Sequence, residues 1–130
     1  MVAGAEAGLP DGPKARIQAG IDAYQADGAK AAVNSWTEGG GLEGDSTTLS
    51  YVSTLIQIES FFGKVVGASY YDSKDLGESV TIAYVIILYE KGPLYTTWQL
   101  YRTPSDKWVT SYFTFNTKIS EIWPENLYLH

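Results

Sequence analysis

The chain has 130 residues, of which 45% are hydrophobic and 18% charged, and it carries a formal net charge of −6. This composition predicts one folded domain with a core of its own and argues against disorder. Lysine and arginine together number only nine. That is too few for the clustered basic face that binds phosphate backbones, so we expect no nucleic-acid partner.

The scarcity of two residue types, cysteine and histidine, excludes several kinds of catalytic and metal-binding site. Cysteine is absent, and the single histidine is the last residue, His130. The sequence therefore offers no thiol nucleophile, no internal histidine for a catalytic triad and no cysteine or histidine metal site. We expect neither a metal nor another cofactor. No apolar run approaches the roughly 20 residues that span a bilayer, so we expect no membrane partner either.

The N-terminal segment, residues 1 to 13, is predicted to be a flexible tail, and residues 14 to 130 are predicted to form a single domain. The tail is rich in glycine, alanine and proline. It lacks a basic region followed by an apolar stretch, so it is not an intact signal peptide. A remnant of a removed signal, which implies a periplasmic or secreted protein, and a disordered N-terminus fit it equally well, and the compartment stays open.

Three helices are predicted to come first in the chain. The first covers residues 14 to 27, where apolar residues recur at spacings of four and three. The second covers residues 29 to 38. The third covers residues 47 to 62, because Asp45 is a helix-capping residue type and Gly63 is a typical helix terminator.

Beyond the third helix the apolar period changes to two, which is typical of strands. Four segments rich in Val, Ile, Tyr and Thr cover residues 65 to 72, 79 to 90, 94 to 103 and 107 to 116. Their short, turn-like connections predict an antiparallel meander. A last helical turn is expected within residues 116 to 123. The predicted fold class is α+β, with three N-terminal helices packed on a bent four-stranded antiparallel sheet.

The turns also predict the register of the sheet. If Lys91 and Gly92 form the second turn, Val85 lies opposite Trp98. A third turn over residues 104 to 107 places Trp98 opposite Phe113. One face of the sheet is then predicted to carry the helices, and the other is unusually aromatic and aliphatic for a face in water.

Two phrases, "AGIDAYQADGAKAAVNSWTEG" and "WQLYRTPSDKWVTSYFTFNT", resemble the opening and the last hairpin of the NTF2-like, or cystatin-like, α+β proteins. The resemblance covers residues 14 to 123 and implies a cavity between the third helix and the sheet. Only "GGGLEGD" stands where many members have a strand or hairpin. The ketosteroid-isomerase branch is poorly matched, because Ile and Gly stand where its catalytic Tyr lies and its Asp base falls in the missing strand. The resemblance therefore implies a fold and a pocket location, without catalytic residues.

Glu59 is the one charge that helical periodicity places inside the apolar arc of the third helix. A concave apolar site with a few polar groups is the usual small-molecule site, so the leading hypothesis is a non-catalytic binder of a small apolar ligand. A desolvated Glu59 could instead be the general base of an isomerase or dehydratase, or it could serve the core by accepting a tyrosine hydroxyl or by reaching solvent. The residues predicted to line the pocket are Tyr24, Trp36, Glu59, Thr81, Thr96, Trp98, Ser111 and Phe113.

The second sheet face supports a third class of function, an interaction module. Its aromatic and aliphatic side chains favour a homodimer packed sheet to sheet, and the alternative is cover by the C-terminal segment. The residues predicted to form the dimer face are Tyr84, Ile86, Leu88, Tyr101 and Tyr112.

Overall fold

The computed structural model describes residues 11–129, in which helices are followed by one antiparallel sheet. The helices are α1 (Asp11–Asp27), α2 (Ala29–Thr37) and α3 (Ser46–Phe62). The strands are β1 (Val65–Leu76), β2 (Val80–Tyr89), β3 (Pro93–Arg102) and β4 (Trp108–Asn116), joined in the order β1-β2-β3-β4. A 3-10 turn (Ile119–Glu121) and α4 (Glu125–Tyr128) end the described chain. The predicted α+β class is confirmed.

The helix ends follow from residues that the sequence already marked. The Asp45 carboxylate accepts a hydrogen bond from the Thr47 backbone N–H at 3.0 Å and so begins α3. Gly63 ends that helix with a φ of 85°, a backbone conformation in which a side chain would be strained. α1 begins earlier than predicted, at Asp11, because the first turn of a helix tolerates Pro13. Residues 1–10 of the predicted tail and His130 lie outside the described residues.

The predicted register is right for one strand pair and wrong for another. Trp98 lies opposite Phe113, as expected. Val85 does not lie opposite Trp98, because Ala83 takes that place. The β2–β3 turn is centred one residue earlier than assumed, with the Tyr89 N–H donating to the Gly92 carbonyl at 2.9 Å. The register therefore moves by two residues, and a shift of two leaves each side chain on its predicted face.

A β-bulge in β4 changes which residue faces the helices. The register shifts between Gln99 and Leu100, so that Leu100 pairs with Thr110 and Ser111 becomes the extra residue. Thr110 is fully buried, whereas Ser111 is exposed and its hydroxyl donates to the Gln99 carbonyl at 3.1 Å. Simple alternation along β4 cannot anticipate an inserted residue. The predicted inward position of Ser111 is therefore wrong.

Trp36 lies where α1, α2 and the sheet meet. Its ring packs edge-on against Trp98 and Phe113, with centroids 5.1 and 5.7 Å away, and those two rings stack at 4.7 Å. The indole N–H donates to the Ile17 carbonyl of α1 at 2.9 Å. A single side chain thus fixes two helices to the inner face of the sheet, meaning the face that carries the helices.

The C-terminal segment crosses the opposite, outer face of the sheet. Trp123 is only 3% exposed. Its ring contacts three tyrosines at centroid distances of 5.2 to 5.7 Å: Tyr71, Tyr84 and Tyr95. Its indole N–H donates to the Thr96 carbonyl at 3.3 Å. The segment therefore covers the middle of the outer face. None of the helices within residues 11–129 is long and apolar enough to cross a bilayer.

The packing of Trp36 predicts the effect of Gly20→Ala. A methyl group on Gly20 would overlap the Trp36 indole, so either the ring or α1 must move. Overpacking of this kind costs about 1–3 kcal/mol, and loss of the indole hydrogen bond adds about 1 kcal/mol. The better helix propensity of alanine offsets this by stabilising the folded state by roughly 1 kcal/mol. We expect urea denaturation to show a net loss of about 2 kcal/mol.

Gly67→Ala is the matched control for this measurement. No heavy atom lies within 4 Å of the position that its methyl group would take. We expect the free energy of unfolding to stay within about 0.5 kcal/mol of the wild-type value. Equal stability of the Gly20→Ala variant and the control would contradict the assigned packing of Trp36.

Candidate functional site

Most of the space predicted to hold a ligand, between α3 and the inner face, is occupied by side chains. Trp36, Trp98 and Phe113 are in mutual ring contact there, and Tyr24 packs edge-on against Trp36 at 6.4 Å. Glu59 is half-buried at the end of α3, and Ser111 is exposed on β4. The fully buried members of the predicted pocket are Tyr24, Trp36, Thr81, Thr96, Trp98 and Phe113, each between 0 and 2% exposed.

The buried tryptophan and threonine donors of the predicted pocket already have partners, whereas the hydroxyl of Thr110, which takes the place of Ser111 on this face, has none among the described residues. The Trp98 indole N–H donates to the Thr96 hydroxyl at 2.7 Å, and that hydroxyl donates to the Val85 carbonyl at 2.6 Å. The Thr81 hydroxyl donates to Asp75 Oδ1 at 2.9 Å, at the margin of the sheet. These donors satisfy the core and offer a ligand little to bind. A cavity of about 210 Å³ lies between Ile58 of α3 and Phe115 at the end of β4, smaller than the usual small-molecule site. Small-molecule binding beneath α3 stays a prediction.

Glu59 lies beside a buried pair of tyrosines. The hydroxyls of Tyr24 and Tyr89 are 3.0 Å apart, and the Tyr24 hydroxyl also donates to the Leu55 carbonyl of α3 at 3.2 Å. Because a phenol has one proton to donate, Tyr89 donates to Tyr24 and Tyr24 donates to Leu55. Glu59 follows Leu55 by one helical turn. Tyr89 was missed in the sequence, although its position two residues beyond Ile87 places it on the inner face.

The environment of this pair decides what it can do chemically. Burial raises the pKa of Tyr24 to about 12, while its bond to Tyr89 lowers the pKa and the charge of Glu59 raises it. Burial also raises the pKa of Tyr89, and its donated hydrogen bond and the charge of Glu59 act in the same direction. Both phenols stay protonated near neutral pH. They serve as hydrogen-bond donors within the core and are poor proton acceptors.

The residues predicted to form a dimer face are divided by Trp123. Tyr84 lies under the Trp123 ring, and Ile86 is half-buried beside it. Leu88 remains 37% exposed at one end of the sheet, and Tyr101 and Tyr112 remain 39% and 45% exposed at the other. Cover by the C-terminal segment, the alternative that the sequence left open, therefore accounts for the middle of the face. The sequence signal for it was a tryptophan within the final turn.

A surface groove of about 430 Å³ lies on the side of the molecule formed by α1, the end of α2 and β4. Its lining includes Arg16, which was not singled out in the sequence. The Arg16 guanidinium donates to the Ser35 carbonyl at 2.9 Å and to the Trp108 carbonyl at 3.2 Å, and it lies 4.0 Å from Glu38 Oε1. These bonds tie the three elements together, so Arg16 has a structural role.

The described residues contain no candidate metal site, and no protein or family compared with the chain matches it. Across residues 11–129, no group of three or more histidine or carboxylate side chains is placed to hold a metal ion. Comparisons with protein-family models, with curated proteins and with solved structures give no match. The NTF2-like resemblance stays a prediction.

The buried tyrosine pair predicts a loss of stability at alkaline pH. Above pH 10 tyrosines ionise in the unfolded chain, whereas Tyr24, with a pKa of about 12, stays protonated in the folded chain. The unfolded state then binds fewer protons, so the free energy of unfolding falls as the pH rises from 10 to 12. We expect the Tyr24 contribution to this fall to be on the order of 2 kcal/mol, measured by urea denaturation at each pH.

Phenylalanine variants test whether the loss of stability at alkaline pH comes from Tyr24 and Tyr89. Tyr24→Phe should flatten the alkaline fall and, at neutral pH, cost about 1–3 kcal/mol because the buried Tyr89 hydroxyl loses its acceptor. Tyr89→Phe should cost about 1 kcal/mol at neutral pH. Tyr128→Phe, outside the pair, is the control and should follow the wild-type profile. An alkaline profile unchanged in both core variants would exclude this account.

Proposed function

We propose that the chain is a non-catalytic self-association module that binds a second copy through the uncovered part of its outer sheet face. The observation that carries the proposal is an uncharged apolar patch in a chain with a net charge of −6. We call it the open patch, and its residues are Leu76, Val80, Ile82, Gln99, Tyr101 and Tyr112.

The open patch is continuous across the four strands. Val80 pairs with Leu76 on one side and with Tyr101 on the other. Gln99 pairs with Ile82 on β2 and, through the next strand pair, with Tyr112 on β4. Leu76 is 49% exposed, and the two tyrosines are exposed to a similar extent. Tyrosine is enriched in interfaces because its ring buries a large area while its hydroxyl finds a polar partner.

Charge favours a second copy as the occupant of the open patch. Two identical molecules with the same net charge repel, so their contact is least costly where neither carries charge. Charged side chains flank the patch: Lys74 lies opposite Ile82, and Arg102 and Asp106 line a surface cavity together with Tyr101. Contact through the open patch therefore buries apolar area without placing like charges face to face.

We also infer that the fold is an NTF2-like roll. The order of elements supports this: three helices precede a four-stranded antiparallel meander, and they pack on one of its faces. Proteins of one fold class bind ligands, catalyse reactions or only associate. Here the ring contacts among Trp36, Trp98 and Phe113 and the small volume of the cavity beside Ile58, about 210 Å³, favour association over the ligand-binding and isomerase hypotheses.

The proposal predicts that Tyr112→Lys weakens self-association. A lysine at this position must be desolvated or must face its own copy across the interface, and the tyrosines that anchor an interface contribute about 2 kcal/mol or more. We therefore expect the dissociation constant for this contact to rise roughly 30-fold or more. Sedimentation equilibrium over a range of protein concentrations measures it.

Two further variants make the measurement specific. Ile82→Lys, in the same patch, should weaken association in the same way. Ala26→Lys adds the same charge on an exposed position of α1 and should leave association unchanged. A wild-type chain that is monomeric throughout, or one whose assembly resists both patch variants, would rule out the open patch as the interface.

A further inference from the structure

The solvent-facing side of α3 is a second surface with an unusual composition. Its exposed side chains include no charged residue, and the one charge within the helix, Glu59, is half-buried toward the tyrosine pair. Three large apolar side chains are exposed on it: Leu49 at 53%, Ile56 at 55% and Phe61 at 74%. The helix packs its other side on the core through Leu55 and Ile58. α3 thus presents apolar residues on two sides.

Three exposed hydroxyls of α3 are bonded within the helix itself. Ser50 Oγ donates to the Thr47 carbonyl and Ser60 Oγ to the Gln57 carbonyl, each at 2.6 Å, and Thr54 Oγ1 donates to the Ser50 carbonyl at 3.5 Å. A hydroxyl that donates to the preceding turn leaves mainly carbon exposed. Removing water from these three side chains therefore leaves their donors satisfied, and their burial costs less than that of unbonded polar groups.

We propose that α3 pairs with α3 of a second copy, antiparallel and about a two-fold axis midway between Ser53 and Ile56. Leu49, Ser53, Ile56 and Ser60 follow at spacings of four, three and four, so they form one stripe. Residues equally far from the axis then face each other. Ile56 of one copy meets Ser53 of the other and Leu49 meets Ser60, in each case a large side chain against a small one, which suits close helix packing.

Charges at the two ends of α3 favour the antiparallel orientation. Glu43 and Asp45 are exposed at its N-terminal end, and Lys64 and Lys91 are exposed at its C-terminal end. Glu90 lies at that end too and accepts a hydrogen bond from the Lys64 N–H at 3.0 Å. An antiparallel pair sets two acids against two lysines and one acid, with opposed helix dipoles. A parallel pair would instead set each acidic end against its own copy.

The absence of cysteine makes the pairing directly testable. Ser53→Cys introduces the only thiol of the chain, and the two-fold axis brings it next to its own copy, within reach of a disulfide. We expect mild oxidation to give a covalent dimer on a non-reducing gel. Asn34→Cys, at an exposed position on α2, is the control. Cross-linking of Ser53→Cys that is no faster than that of this control would overturn the proposal.

The register is tested with a pair of variants. Leu49 and Ser60 lie at equal distances on either side of the axis, so each faces the other across it. Leu49→Cys and Ser60→Cys should cross-link when mixed and remain monomers on the gel when oxidised alone. Cross-linking of each variant with itself, without gain on mixing, would show a parallel pair and overturn the antiparallel one.

Lysine substitutions separate this surface from the open patch, which lies on the other side of the sheet. Ile56→Lys should weaken the α3 contact roughly tenfold or more, and Tyr112→Lys should weaken only the patch contact. Each single variant should sediment as a dimer, the double variant as a monomer and the wild type as a larger assembly, with circular dichroism checking the fold. Loss of mass in Tyr112→Lys alone would reject the α3 pairing and leave the proposed function standing. Loss of mass in Ile56→Lys alone would reject the open patch as the interface and leave the α3 pairing standing.

Discussion

The close contact between the Trp36 indole and α1 is the constraint on which the rest of the structure depends. The indole N–H donates to the Ile17 carbonyl, and the ring packs edge-on against Trp98 and Phe113 of the sheet. The ring can lie this close to α1 because Gly20 has no side chain. The positions of α1 and α2 on the inner face, and hence the closed interior, follow from this packing.

Because the interior is closely packed, the surface of the chain is the better candidate for its function. The ligand hypothesis required room between α3 and the sheet, and aromatic rings fill most of that space. The cavity of about 210 Å³ between α3 and the end of β4 is smaller than the usual small-molecule site. What distinguishes the chain is then the distribution of its charges. A molecule with a net charge of −6 keeps two surfaces free of charge, the open patch and the exposed side of α3. Charge-free apolar surfaces of this kind are where a like-charged copy can approach at the lowest cost.

The sequence predicted those parts of the fold that local chemistry determines. Asp45 and Gly63 mark the ends of α3 because a capping carboxylate and a left-handed glycine act within one turn. The faces of the strands followed from alternation, and they survived an error in the β2–β3 turn because a shift of two residues preserves them. The bulge that turns Ser111 outward depends on how two strands fit together, and no local pattern records that fit. The filling of the predicted pocket depends on side chains from several elements, so it too was outside the reach of periodicity.

The position of Glu59 in α3 was predicted from the sequence, but the tyrosine pair beside it was not. Periodicity placed it in the apolar arc of α3, and it lies half-buried beside Tyr24 and Tyr89. Burial is the main cause of the raised pKa of both phenols, and the charge of Glu59 adds to it in the same direction. The hydrogen-bond chain from Tyr89 through Tyr24 to the Leu55 carbonyl joins the sheet, α1 and α3. On the outer face, the Trp123 ring contacts Tyr84 and covers the centre of that face. A second copy that binds this face must do so beside Trp123, at the end of the sheet where Tyr101 and Tyr112 remain exposed.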